Sequence, residues 1–312
     1  MSIEINTAAD FIALANLSDD AIGTADAPLE IVINDDLDFS DVDDFGGTAA
    51  IYANIYGNGH VIKNIAWSKL QTFNFITLNG GSVSQLTFDN CSITVTGASL
   101  YLFKFTVASG YEFSMSEIIV KNNCMFISTT SDCAFFYTSG TLGGCVFNFS
   151  KILVSGIWNA RYLYMLHCRT SGTSSKTTVY RLRHIGINIT GTGLSSNPYC
   201  RTVYSGSNYT TTYITYMYNI STLADFIGTG NAGLCAFSGS GGGNLSYCYA
   251  SIELLSETNW KQIIYKSGNG TISAYCVLAN SDKLGDTSYA TATATTEELK
   301  SAEWLRSQGW VI

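Results

Sequence analysis

A unit that returns every 28 to 35 residues constrains the fold of this chain more than any other feature. The stretch Ser82 to Gly97, SVSQLTFDNCSITVTG, has two short apolar runs separated by a polar corner. Related stretches each contain an apolar position in the same series: Leu86, Ile118, Phe149, Leu182, Met217, Cys248 and Cys276. A second series of apolar or aromatic runs lies between them, beginning at Phe73, Tyr101, Cys133, Tyr162, Cys200, Leu234 and Gln262. Two interleaved series with one period indicate a supersecondary unit stacked on itself.

The residues within each unit favour β-strands over helices. β-Branched and aromatic runs alternate with Gly, Ser, Thr and Asn, and the whole chain has 2 prolines. Helical repeats of this length need two amphipathic helices each, and a β-propeller blade of about 40–50 residues exceeds the observed spacing. We therefore predict an all-β parallel solenoid of about eight coils, with adjacent coils about 4.8 Å apart.

Composition and charge exclude two classes of partner. Lys and Arg number 16 against 24 Asp and Glu, which gives a net charge of −8. No basic stripe is available to replace counterions on phosphates, so we expect no nucleic-acid binding. The chain contains no run of about 18 apolar residues, so we expect no membrane span. The start MSIEINTAADF lacks a basic segment before an apolar run, so we expect that the chain has no signal peptide. We therefore expect that the protein is made in a cytosol.

The cysteines follow the repeat rather than a metal-binding spacing. There are 9, at positions 91, 124, 133, 145, 168, 200, 235, 248 and 276. We predict buried free thiols that pack as small apolar residues, with no disulfide. A metal site is the alternative, but there is no C-x-x-C, and His60, His167 and His184 have no ligand spacing. We expect no cofactor.

Both ends of the chain predict caps for the solenoid. Thr7 and Asp10 have the spacing of a capping box, and a short helix is expected from Ala8 to Asn16, followed by a strand at Leu29 to Ile33. A second helix is expected from Thr295 to about Arg306. Open solenoid ends expose unpaired strand edges, which such helices can cover. The predicted domains are a cap at 1–50, a parallel β-helix at 51–285 and a C-terminal helix and tail at 286–312.

The acidic stretch 34–44, NDDLDFSDVDD, is a weak candidate for cation binding. Ca²⁺ prefers clustered oxygen ligands, which Asp35, Asp36, Asp38 and Asp41 could supply. The stretch lacks the glycine and glutamate spacing of an EF-hand loop. A solvated acidic loop is the favoured interpretation.

Segments at the two ends carry a resemblance to known proteins. The TAADF start, the D-x-D-F strand end and YGNGHVIKNI together resemble the entry of right-handed parallel β-helix proteins. These include pectate-lyase-like folds, GLUG-type bacterial surface proteins and phage tail proteins. Gly57, Asn58, Gly59 and His60 match the motif, which marks a fold rather than an active site, so His60 is expected to be a corner residue. The EELKS…GW ending resembles the terminus of GLUG-type proteins. The resemblance implies a right-handed β-helix, and phage spikes of this type are typically homotrimers.

Two sets of residues are candidates for chemistry. Asp225 and Glu257 are one repeat apart, so their carboxyl groups could stack as a weak candidate for a polysaccharide lyase or glycoside hydrolase. Tyr216, Tyr247 and Tyr275 precede inward positions and should therefore point outward, and Tyr218 and Tyr249 should share that side. A tyrosine ladder suits sugar stacking or a protein interface, although a shift by one residue would place these rings in the core.

These observations predict a non-enzymatic virion protein. The expected function is a phage tail fibre, spike or related appendage that binds a host surface polysaccharide or receptor, with other virion proteins and copies of itself as partners. The alternatives are a GLUG-type bacterial surface or adhesion protein and a polysaccharide lyase or hydrolase. The expected homotrimer would place Tyr216, Tyr247 and Tyr275 either between subunits or on the receptor-binding side.

Overall fold

The structure is a computed structural model that describes residues 2–106, 110–139, 143–168, 177–205, 210–226, 237–239, 242–256, 264–266, 276–279, 290–292, 297–298 and 301–307. The described residues form twenty strands: β1 (Ser2–Ile5), β2 (Leu29–Ile33), β3 (Leu37–Asp38), β4 (Ala50–Tyr56), β5 (Val61–Lys63), β6 (Ala66–Lys69), β7 (Phe73–Asp89), β8 (Ser92–Val95), β9 (Leu100–Thr106), β10 (Glu112–Val120), β11 (Met125–Ser139), β12 (Val146–Cys168), β13 (Thr178–Gly193), β14 (Tyr199–Ser205), β15 (Thr210–Ala224), β16 (Phe237–Gly239), β17 (Gly242–Leu254), β18 (Ile264–Lys266), β19 (Cys276–Ala279) and β20 (Ala290–Ala292). Helix α1 (Ala8–Ala13) continues into a 3-10 turn at Leu14–Asn16, a second 3-10 turn spans Asp19–Ala21, and helix α2 spans Ala302–Ser307.

The strands stack in parallel as a β-solenoid, which confirms the predicted fold class. Each long strand pairs with a strand about one repeat earlier and one repeat later, as β12 does with β10 and β13. The solenoid has about six turns. No helix among the described residues has the length and apolar character needed to cross a membrane.

Two inward columns, three residues apart, fill one side of the core. The first contains Val83, Met115, Phe149, Leu182 and Ile214 at directly paired positions. The second contains Leu86, Ile118, Ile152, Ile185 and Met217. All ten side chains are buried, which confirms the predicted burial of Ile118 and Leu182. The repeat series read from the sequence mixes the two columns, because Phe149 and Leu182 belong to the first and the other paired members to the second.

A single residue in the left-handed region separates the two columns in each coil. These residues, which we term the corner column, are Gln85, Glu117, Lys151, His184 and Tyr216, with φ between 53° and 57°. This corner residue turns the chain between two short strand segments, so inward residues on its two sides are three apart instead of two. Asn148 and Arg181 lie in the segment before this corner, where they pair with each other in register.

The N-terminal helix packs on the core as a cap, as the sequence predicts. The Thr7 hydroxyl accepts a hydrogen bond from the Asp10 backbone N–H at 3.2 Å, and the Asp10 carboxylate accepts one from the Thr7 N–H at 2.9 Å. Phe11 is fully buried and stacks on Phe75 with ring centroids 5.4 Å apart. At the other end, α2 covers the last part of the predicted C-terminal helix, whose start at Thr295 lies outside the described residues.

The cysteines whose side chains are described are buried and form no disulfide bond. They are Cys91, Cys124, Cys133, Cys145, Cys168, Cys200 and Cys248. Several are stacked between coils: Cys133 pairs with Leu163, which pairs with Cys200. Burial raises the pKa of the Cys133 and Cys168 thiols well above the ordinary value. These thiols therefore remain protonated and act as small apolar residues, as predicted.

Candidate functional site

The predicted tyrosine ladder lies partly at the corner column and partly on the strand that follows. Tyr216 is half-buried at the corner and stacks on His184, with ring centroids 5.0 Å apart. Tyr218 is half-buried over Gly186, where an added Cβ would lie 2.4 Å from the tyrosine oxygen. Tyr249 pairs in register with Tyr218. These positions belong to two different segments of the coil.

Tyr247 and Tyr275 are the remaining members of that ladder. Tyr247 lies in β17, one residue before Cys248, which pairs with Met217. Tyr275 lies outside the described residues.

The first part of the corner column is a polar ladder rather than a binding cleft. Gln85 Nε2 donates a hydrogen bond to Glu117 Oε2 at 3.1 Å, and Lys151 Nζ lies 2.8 Å from Glu117 Oε1. The hydrogen bond from Lys151 is the main cause that lowers the pKa of Glu117. Burial, together with the charges of Arg183 and Lys151, lowers the pKa of His184. These contacts join one coil to the next, which is a structural role.

Of the two carboxylate candidates, Asp225 lies within the described residues. Asp225 is exposed, with φ of 60°, and its backbone N–H donates a hydrogen bond to Ser256 Oγ. Glu257 lies outside the described residues.

The acidic stretch uses two of its carboxylates to hold neighbouring coils together. Asp36 accepts a hydrogen bond from the Val61 N–H at 3.0 Å and lies near His60 and Lys63. Asp38 accepts from Asn64 Nδ2 at 3.0 Å. The other two candidates, Asp35 and Asp41, are exposed. Within the described ranges, no group of three or more His, Cys, Asp or Glu side chains is arranged to hold a metal ion.

A second and larger group of aromatic side chains lies on the outer side of the other repeat series. We term it the aromatic face, defined by Tyr101, Tyr137, Tyr162, Tyr164, His167, Tyr199, Tyr204, Arg161 and Arg201. These residues come from β9, β11, β12 and β14, which pair in parallel one above another. Alternate residues of the same strands, such as Leu163 and Met165, are buried in the core.

Four rings of the aromatic face stack across successive coils. Tyr101 stacks on Tyr137 at 4.1 Å, Tyr137 on His167 at 4.5 Å, and His167 contacts Tyr204 at 5.2 Å between centroids. Tyr101 reaches the next coil because its directly paired residue there is the small Ala134. The centroid distances match the spacing of about 4.8 Å between parallel strands, so the rings rise with the coils.

A second row stands beside the first. Tyr162 stacks on Tyr199 with centroids 4.3 Å apart, and the hydroxyl oxygens of Tyr164 and Tyr199 are 2.7 Å apart in a hydrogen bond. Tyr101 donates a hydrogen bond to Asp132 Oδ2 at 3.1 Å. Aromatic contacts and hydrogen bonds together fix the orientations of these rings before any ligand arrives.

Two arginines lie against the rings. The Arg201 guanidinium carbon is 4.3 Å from the Tyr204 ring centroid and 5.0 Å from that of Tyr199. Arg161 lies 4.7 Å from the centroid of Tyr162. Cation–π contact of this kind holds a guanidinium group in position against the ring.

Three phenols of the aromatic face are held in their neutral form. Burial is the main cause that raises the pKa of Tyr101, Tyr164 and Tyr199 above the ordinary value. Each therefore keeps its proton at neutral pH and can donate as well as accept a hydrogen bond. The rings of Tyr137, Tyr162, Tyr199 and Tyr204 are half-buried, so part of each remains accessible.

Sequence reasoning missed this face because its strands read as continuous core. The runs YLYML and CRTVY contain inward Leu163, Met165 and Cys200, and the tyrosines between them add to the apparent hydrophobicity. The signal that could have found the face is period-2 alternation, with tyrosine at 162 and 164 on either side of a leucine.

No family model, curated protein or solved structure matches this chain.

Proposed function

We propose that this chain is a non-enzymatic virion protein, a tail fibre, spike or related appendage, that binds a host surface glycan through its aromatic face. The observation that carries the binding function is the aromatic face itself. It offers phenol hydroxyls, ring edges and guanidinium groups in fixed positions. Preorganised groups lose little conformational entropy on binding, which favours affinity.

The shape of the face fits a linear ligand. The ring row from Tyr101 to Tyr204 crosses three spacings between coils, which is about 14 Å along the solenoid. Its row of donors and acceptors parallels the strand stack. A polysaccharide chain lying along this direction would meet hydroxyl-rich contacts at successive coils.

The proposed setting rests on the sequence. The YGNGHVIKNI resemblance supports a right-handed β-helix, for which we propose about eight coils. Right-handed connection between parallel strands is also the general rule. The same resemblance supports a homotrimer that associates with other virion proteins. Synthesis in a host cytoplasm and location on the virion complete the proposal.

Binding of the full chain to a panel of immobilised bacterial surface polysaccharides tests this proposal. Tyr162→Ala and Tyr204→Ala should each weaken binding by about tenfold or more, because aromatic anchors commonly contribute 2 kcal/mol or more. The matched control is Tyr213→Ala, which removes a 41% exposed ring outside the aromatic face, in the segment before the corner column. The control should bind as the unaltered chain does.

Two results would contradict the proposal. Binding unchanged by both aromatic-face substitutions would remove this face from the function. Release of new chain ends from a bound polysaccharide would replace a binding protein with a lyase or hydrolase. Light scattering on the same samples measures the proposed trimer.

A further inference from the structure

The charge of the aromatic face is opposite to that of the whole chain. The chain has a net charge of −8. The strand segments that build the face, 100–106, 131–139, 159–168 and 199–205, contain Lys104, Arg161 and Arg201 but one carboxylate, Asp132. Three cationic side chains and one acidic side chain leave this face with a local excess of positive charge. A cationic site on an anionic protein attracts anionic groups of a ligand to that one part of its surface.

The two arginines are the dependable charges of this group. A guanidinium group stays protonated under all ordinary conditions, whereas burial lowers the pKa of Lys104. Lys104 pairs in register with Tyr137, one coil below it, so it borders the ring row. Arg161 and Arg201 lie directly against the rings of the second row.

Stacking covers the faces of the rings and leaves their edges uncovered. Tyr137 has Tyr101 on one side at an interplanar angle of 13° and His167 on the other at 21°. A neutral sugar that stacks on an aromatic ring needs an open face, which this arrangement does not give to Tyr137. The edge of an aromatic ring carries partial positive charge, and the phenol hydroxyl at that edge donates a hydrogen bond.

The hydrogen-bonding groups of the face are therefore weighted toward donors. Guanidinium N–H groups donate only, and the neutral phenols can donate. The Asp132 carboxylate, the acceptor among the charged groups, accepts from the Tyr101 hydroxyl. Carboxylate and sulfate oxygens accept such bonds, and the contact with arginine is geometrically matched and charge-assisted.

We propose that the aromatic face recognises an acidic polysaccharide, one that carries carboxylate groups on its sugars, with Arg161 and Arg201 as the specificity-determining residues. This inference rests on the proposed glycan-binding function and names its ligand class. Arg201 contacts the carboxylate side of the ligand from between Tyr199 and Tyr204, and Arg161 does so beside Tyr162.

The test compares each polysaccharide of a carboxylate-bearing panel with its own carboxyl-reduced form, which has the same backbone and no charge. The full chain should bind at least one acidic form and should lose about tenfold or more in affinity for the reduced form, as expected for loss of a charge-assisted contact. Arg161→Gln and Arg201→Gln should weaken binding to the acidic form and leave the weak binding to the reduced form unchanged. Raising the salt concentration should weaken binding to the acidic form alone.

Arg181→Gln is the matched control because it removes the same charge elsewhere. Arg181 is exposed in the segment before the corner column, where it donates a hydrogen bond to Asn148 at 3.4 Å. Its loss should leave binding unchanged, and melting temperatures of all three variants show whether each is folded. An equal loss in Arg181→Gln would reduce the effect to net charge and overturn the assignment of Arg161 and Arg201.

The outcomes separate this inference from the function on which it rests. Equal binding to acidic and reduced forms would overturn the acidic ligand and leave glycan binding in place. Binding to no polysaccharide in either form would overturn both. Loss of binding on reduction, with no effect of either arginine substitution, would move the acidic site away from the aromatic face.

Discussion

At the residue scale, Asp89 links the stability of the solenoid to pH. Its carboxylate accepts hydrogen bonds from Lys121 and from Asn123 Nδ2, both of which lie on the next coil. The hydrogen bond from Lys121 is the largest cause that lowers the pKa of Asp89 in the folded protein. A carboxyl group with a lowered folded pKa stabilises the fold above its unfolded pKa, which is about 3.9 for Asp. That stabilisation is lost as the pH falls through the folded pKa.

Asp89→Asn should therefore lower the melting temperature at pH 7 and flatten its decline between pH 5 and pH 2, over which the lost carboxyl group would titrate. Lys121→Gln removes the principal cause of the shift and should flatten the same decline. The measurement is the melting temperature of each variant across that range. Wild-type slopes in both variants would show that Asp89 contributes nothing to acid stability.

At the residue scale, the sequence did not predict which column each inward residue of the core belongs to. Strict alternation predicts that Val83 and Leu86, three apart, point to opposite sides, yet both are buried. The left-handed conformation of Gln85 shifts the alternation by one residue. Glutamine, glutamate, lysine, histidine and tyrosine occupy this corner column, so no single residue type marks it in the sequence. The burial of Leu86 and Ile118 could be predicted, whereas the column to which Phe149 belongs could not.

At the element scale, Gly156 shows how closely one coil approaches the next. It has φ of +98°, and a Cβ added there would lie 2.5 Å from the carbonyl oxygen of Cys124. Gly59 has a similar φ of +83°, with nothing within 4 Å of the added atom. Alanine at either position costs about 1–2 kcal/mol for the left-handed backbone. At Gly156 it must also displace a backbone carbonyl between neighbouring strands.

Gly156→Ala should therefore be more destabilising than Gly59→Ala by about 1–3 kcal/mol, as for overpacked sites. Urea unfolding of the two variants and the unaltered chain gives the comparison. Equal midpoints for the two variants would mean that the coils separate at this corner without cost. This pair isolates steric contact because both positions need positive φ.

Elements that a local sequence pattern specifies could be predicted. Features that depend on contacts between side chains of adjacent coils could not. The capping box of Thr7 and Asp10 is a local pattern, and the structure contains it as predicted. The aromatic face depends on which rings of adjacent coils meet. Tyr164 is 4% exposed although it points outward, because Tyr199, Tyr204 and His167 surround it. Aromatic residues that are buried by stacking on the outer side of the solenoid look the same in the sequence as aromatic residues that are buried in the core.

At the scale of the whole molecule, the repeat period and the strand-forming residues of each unit together predicted a parallel solenoid, which fits this spacing better than helical repeats or propeller blades. Uniform stability does not follow from a uniform fold. One inward column contains Phe113, Phe147 and Tyr180, which stack with centroids 4.8 and 4.6 Å apart. In β15 the next paired residue of that column is Thr212. The aromatic stack therefore ends between β13 and β15.

Other buried positions change in the same way. Thr202, Asn219 and Ser221 are each at most 2% exposed. Asn219 Nδ2 donates a hydrogen bond to Thr202 Oγ1 at 3.0 Å, and the Ser221 hydroxyl donates to the Asn219 side chain. These bonds compensate for the burial of polar groups, but Asn219 does not replace the apolar area that its paired residue Ile187 buries one coil earlier.

The coils of a solenoid contribute to stability approximately as a sum of local and nearest-neighbour terms, so a coil with less apolar burial opens more readily than its neighbours. We therefore expect the backbone amides of β15 to exchange with deuterated solvent faster than those of β10 and β12, after correction for intrinsic exchange rates. Hydrogen exchange followed by mass spectrometry on peptides covering these strands provides the measurement. Opening at this step would leave the stacked aromatic coils before it intact, because each coil contacts only its neighbours. Equal protection in β10, β12 and β15 would mean instead that the described coils open as one cooperative unit, with the polar network around Asn219 stabilising its coil as well as the phenylalanine stack does.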